Sequence, residues 1–151
     1  MNDQGQLCFV NLPPSLPVRY PDMLQVGCKH GPGGKHDPGL TDEETRSHFG
    51  SWAIVSSPLT LSHDVNDMDV MKKVWPVISN KHVLAIHKAY VGDSGGLYDK
   101  SEEVVELTDA FIEAMENETR VTVPSHQYLY KPVSTEGDVA VLLMASTYIL
   151  P

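Results

Sequence analysis

The pattern of apolar and polar positions changes character several times along the chain. Residues 1–19 scatter apolar side chains around Pro13, Pro14 and Pro17 with no period of 2 or 3.6, which predicts an irregular arm. From Asp22 to Gly27 the pattern tightens around Met23, Leu24 and Val26 into a predicted short strand, and the glycines and prolines of His30 to Gly39 predict a loop. Thr41 and Glu44 then form a T-x-x-E capping box, a helix start in which each side chain satisfies a free backbone N–H at the other end. Phe49, Trp52, Ala53 and Ser56 follow at helical spacing until Pro58, after which Leu59 to Leu61 turns extended.

A second helix is expected from a cap at Asn66 or Asp67, with Met68, Met71, Val74, Trp75 and Ile78 on its buried stripe and Pro76 kinking or ending it. Val83 to Ile86 reads as a short apolar strand or turn. Two passages of strand, loop and helix, with strands apolar on both faces, predict parallel βα units. Beyond the Gly92 to Gly96 turn, Ser101 is expected to cap a third helix through Val104, Leu107, Thr108, Phe111 and Met115, ending near Asn117. Val121 to Val123, Tyr128 to Tyr130 and Val139 to Met144, with a turn at Ser134 to Gly137, read as antiparallel β.

Composition narrows the function classes. At 151 residues, 41% hydrophobic and 21% charged, the chain can build one domain's core, against wholesale disorder or a disulfide-stapled miniprotein. A formal charge of −9 disfavours a nucleic acid backbone or an anionic membrane as partner, and no apolar run approaches the ~20 residues of a membrane span. No signal peptide is visible at Met1 to Val10, and Cys8 and Cys28 leave the compartment open.

Most candidate chemistry weakens on inspection. Cys28, His30 and His36 are metal-ligating types, but no second ligand pair follows at structural zinc spacing, so a solvated glycine loop is the better reading. Gly31, Gly33, Gly34 and Lys35 fail as a phosphate loop, because Lys29 stands where its first glycine belongs and His36 where Ser or Thr should bind magnesium. Ser62, His63 and Asp64 are sequence neighbours whose side chains cannot converge as a triad on a strand, and Asp64 reads as a turn or cap residue. Glu102, Glu103 and Glu106 read as a solvated helix face, Met68, Met71 and Trp75 as core, and Asn117-Glu118-Thr119 as a sequon.

One longer pattern is specific. Tyr20-Pro21-Asp22-Met23-Leu24 before Val26-Gly27 resembles the D-P-D-M-L motif of glycoside hydrolase family 27 α-galactosidases. The resemblance continues through Leu40 to Phe49, Trp52-Ala53-Ile54, Ser57-Pro58-Leu59, Ile78-Ser79-Asn80, Val83 to Ile86 and Gly92. It departs from the family at Tyr20, which replaces an Asp, and at His87-Lys88-Ala89, where the family has N-Q-D.

That resemblance implies an α/β fold: residues 20–99 as the last two βα units of a (β/α)8 TIM-type barrel, followed by the start of an antiparallel β domain at 125–151. Residues 1–19 would be an unmatched arm and 100–124 a helical insertion. The implied activity is retaining hydrolysis of terminal α-D-galactosyl groups, with an α-galactoside as substrate and no cofactor or metal. Asp22 and Met23 would bind the sugar, the carboxylate accepting bonds from galactose hydroxyls and the thioether packing on the ring.

No catalytic residue is assigned within this chain, because the family's two carboxyl groups sit on earlier strands. A complete barrel takes ~250 residues, so the chain reads as truncated and inactive alone, or as a noncatalytic carbohydrate-binding or scaffold remnant. Unpartnered barrel strands and apolar faces carrying Trp52 and Trp75 would make it poorly soluble or molten. Family members are usually secreted or lysosomal. The aglycone and the oligomeric state are not implied.

Overall fold

The computed structural model describes residues 23–31, 35, 38–107 and 121–146. Their order is α1 (Asp42–Ile54), α2 (Met68–Ile78), α3 (Lys81–Lys88), β1 (Gly96–Lys100), β2 (Val104–Leu107), β3 (Val121–Pro124), β4 (His126–Pro132) and β5 (Val139–Ala145). The fold is mixed α/β, and every strand pairing among the described residues is antiparallel: a β1-β4-β5 sheet and a β2-β3 pair.

The capping box forms as expected: Thr41 Oγ1 accepts from the Glu44 N–H, and Glu44 Oε2 accepts from the Thr41 N–H at 2.8 Å. Asp67 caps α2 by accepting from the Asp69 and Val70 N–H groups. Pro76 lies inside α2, which runs on to Ile78. Its buried face is set by Val74, with Val70, Val77 and Ile78 packed on the core. Met68 (61% exposed) and Trp75 (57%) face outward, against the expected stripe. At roughly 100° per residue, positions 70, 74, 77 and 78 cluster around one direction, while 68 and 75 lie a quarter turn or more away.

Three other expectations are corrected. Val83 to Ile86 lies in α3, because the Asn80 side chain caps the His82 and Val83 N–H groups and sets the run turning; four apolar residues alone do not distinguish helix from strand. Val104 to Leu107 is β2 rather than the first turn of a helix: β-branched Val104 and Val105 pair with Pro124 and Val123. Glu106 therefore lies on a strand, and Ser101 joins β1 to β2, its N–H donating to His126 O at 2.9 Å. The remainder of that predicted helix, and the Asn117 sequon, fall outside the described residues. Leu59 to Leu61 pairs with no strand, although Leu59 and Leu61 pack on the core.

Leu24, Val26, Phe49, Trp52 and Val74 form that core. Trp52 is thus buried, unlike Trp75. Across α1 lies the sheet, where Leu142 touches Gly50 and Ser51 Oγ lies 3.3 Å from Met144 Sδ. The last turn of α1 is enclosed from both sides.

Lys131 joins sheet to helices. Its side chain is fully buried, and Nζ donates to Ala53 O at 3.3 Å, Ile86 O at 2.6 Å and His87 O at 3.0 Å. These carbonyls end α1 and α3, where unpaired C=O groups concentrate negative charge. The remaining carbonyls at the end of α1 are also satisfied: Trp52 O accepts from the Ser57 N–H, and Ile54 O from the Gly95 N–H. Gly95 lies so close to Tyr130 O and Ile54 O that no Cβ would fit.

Candidate functional site

The segment from Met23 to Gly27 lies over the core with a period of 2: Leu24 and Val26 are buried, and Met23 is 51% exposed. The burial pattern of a strand is therefore present, but the expected strand is not. Side chains supply what a neighbouring strand would. The Gln25 N–H donates to His48 Nε2 at 3.1 Å, and Val26 O accepts from His63 Nδ1 at 2.8 Å. Cys28 N–H closes a turn onto Gln25 O at 2.9 Å.

Each histidine is itself positioned. His48 stacks on Trp52 with ring centroids 4.0 Å apart, and burial pushes its pKa down to about 4, so the ring stays neutral and Nε2 keeps the lone pair that accepts from Gln25. His63 Nε2 lies 3.2 Å from Met71 Sδ on α2, and its ring packs against Gly27. At Gly27, φ is +80°, and an added Cβ would stand 2.6 Å from His63 Nδ1. Glycine is needed there both for the backbone conformation and for the approach of the ring.

Lys29 extends the clamp by pairing with Asp67 at 2.7 Å. The bond holds the Lys29 ammonium above its ordinary pKa and the Asp67 carboxyl below its own. Beneath this turn a cavity of about 240 Å³ is lined by residues including Cys28, Gly39, Thr45, Val70 and Lys73. Burial pushes the Cys28 thiol up, away from thiolate character.

Of the two sugar-binding residues expected from the sequence, Met23 lies at the exposed start of the clamped segment, and Asp22 lies outside the described residues. His36 and Cys8 also lie outside them. Among the described residues no three His, Cys, Asp or Glu side chains gather as metal ligands, and no helix is long and apolar enough to cross a membrane. Ser62, His63 and Asp64 do not converge: His63 holds Val26, and Asp64 Oδ1 accepts from the Asn66 N–H as a turn residue.

The sequence reading missed the roles of His48 and His63. Their spacing carries no signal, because the contacts span 23 and 37 residues. His87, at a departure from the family motif, places Nε2 2.7 Å from Ser57 O and so ties α3 to the turn after α1.

Comparison with known proteins gives the same direction. Alpha-galactosidase 2 of Arabidopsis thaliana is 37% identical over 75 residues, 50% of this chain and 16% of that protein. The alpha-galactosidase of Cyamopsis tetragonoloba is 38% identical over 73 residues, 43% of this chain and 17% of its own. That of Oryza sativa subsp. japonica is 36% identical over 89 residues, 54% and 21% respectively. The chain therefore carries an α-galactosidase-like stretch through about half its length, and that stretch spans about a fifth or less of each relative. No protein-family model and no solved structure matches the chain.

Proposed function

We propose that residues 20–99 correspond in sequence to the closing part of a retaining α-galactosidase unit, where its barrel carries its last two βα units, and that residues 125–151 correspond to the start of its β domain. Residues 1–19 are then an arm and 100–124 an insertion bearing β2 and β3. The observation that carries this reading is 36–38% identity to several proteins named alpha-galactosidase.

In this reading Met23 and the preceding Asp22 form the rim of a sugar pocket. The Asp22 carboxylate accepts hydrogen bonds from galactose hydroxyls, and the exposed Met23 thioether covers an apolar patch of the ring. His48, His63 and Gly27 fix the backbone behind them as positioning residues. Rigidity there matters because a displacement of about 1 Å in a substrate-positioning group can cost ~100-fold in rate.

Retaining hydrolysis needs two carboxyl groups ~5–5.5 Å apart, one attacking the anomeric carbon and one donating and then accepting a proton. We assign both to barrel strands outside the matched stretch. The chain alone is then expected to bind terminal α-galactosyl groups without turning them over. Titration with galactose, followed by calorimetry, tests the binding, which Asp22→Asn should abolish and Met23→Ala should weaken. Unchanged affinity in both variants would refute the assignment, and release of the chromophore from a nitrophenyl α-galactoside by the unmodified chain would refute the placement of the carboxyl groups.

A further inference from the structure

The β1-β4-β5 sheet leaves β5 at its edge among the described residues. Its hydrogen-bond phase follows from its two ends. The Val133 N–H donates to Asp138 O at 2.9 Å and the Ser146 N–H to Ser125 O at 2.8 Å, both in the register that pairs Tyr130 with Val141. In an antiparallel ladder bonded pairs alternate, so Ala140, Leu142 and Met144 bond to β4. The backbone groups of Val139, Val141, Leu143 and Ala145 point the other way, away from the sheet. Their side chains share its outer face, with Val139, Val141 and Leu143 47%, 53% and 66% exposed.

An uncharged edge of this kind is a template for another strand. We propose that its occupant is β5 of a second copy, paired antiparallel about a twofold axis at Leu142. Only this centred register matches all seven residues: Val139 opposite the copy's Ala145, Val141 opposite its Leu143, and Leu142 opposite itself. The outward backbone groups then bond across the axis, and valine meets leucine on the outer face.

No like charges meet along the paired strands in this arrangement. Each copy carries −9, yet the sequence from Val139 to Ala145 contains no Asp, Glu, Lys or Arg. Asp138, the first charge beyond it, falls opposite the copy's Ser146, so the two Asp138 side chains stand eight residues apart, about 27 Å along the strands. That exceeds the screening length of ~8 Å at physiological salt.

Sedimentation equilibrium on the 151-residue chain should give about twice its 16.7 kDa. Two double variants test the register, both at positions whose side chains and outward backbone leave the β4 pairing intact. Val141→Lys with Leu143→Lys places ammonium groups opposite one another and should yield the monomer. Val141→Lys with Leu143→Glu places each lysine opposite the copy's glutamate and should retain the dimer while melting like the first variant's monomer or above it. A wild-type monomer at every concentration leaves the edge to a different strand and overturns the proposal. So does any result in which the two double variants share one oligomeric state.

Discussion

Acidification should loosen the clamp on Met23–Gly27 through one residue. His48 has a folded pKa of about 4 against an ordinary 6.5, because the ring is buried beside Trp52 and Nε2 accepts from the Gln25 N–H. Below pH 6.5 the unfolded chain takes up a proton that the folded chain refuses, so stability falls as pH drops toward 4. The difference of 6.5 − 4 amounts to about 3 kcal/mol when fully developed, at 1.36 kcal/mol per pH unit, and most of it is lost by pH 4.5. Protonation would also set two N–H groups against each other at Gln25, which gives the loss a local address.

The assay is urea unfolding at pH 7 and pH 4.5, on the wild type and on His48→Gln, whose amide oxygen can still accept from Gln25 but does not titrate. Carboxylates contribute to the acid slope of both proteins and cancel in the comparison. The variant should lose about 2 kcal/mol less than the wild type over this interval. Equal losses would refute the reasoning.

Lys131→Met removes the ammonium from three helix-terminal carbonyls and should cost about 3 kcal/mol by the same urea assay, given that hydrogen bonds to charged groups contribute ~1.5–3 kcal/mol each, offset by relief of the desolvation that pushes the Lys131 pKa down. A loss under about 1 kcal/mol would show that those carbonyls find other partners. Gly27→Ala should cost at least about 2 kcal/mol, from the positive φ and the collision with His63, and the His63 imidazole resonances should move with it. Thr41→Ala, which opens the capping box, should lower stability by only about 1 kcal/mol and leave the segment at Met23 unmoved in amide spectra.

What the sequence made legible was mostly local. Thr41 and Glu44 announce α1 because a capping box is complete within four residues, and the β4-β5 hairpin is visible because the apolar runs Tyr128 to Tyr130 and Val139 to Met144 flank the Ser134 to Gly137 turn. Failures came where partners decide. Met23 to Val26 has the alternation of a strand, but its backbone is bonded by histidines 23 and 37 residues away. Val104 to Leu107 has helical spacing, but β3 was available to pair it. Trp75 was placed inside on a stripe with Met68 and Met71, whereas the face that packs on the core is centred on Val70, Val74 and Val77 and leaves it outside.

The proposed sugar-binding roles of Asp22 and Met23 rest on resemblance alone, because nothing in their spacing specifies galactose. The measurement that tests this most directly follows the Met23 methyl resonance of the purified chain during a galactose titration, with nitrophenyl α-galactoside hydrolysis monitored in the same sample. A saturable shift is expected, abolished by Asp22→Asn, with no chromophore released. A methyl signal that galactose does not move, or chromophore appearing at an ordinary enzymatic rate, would contradict it.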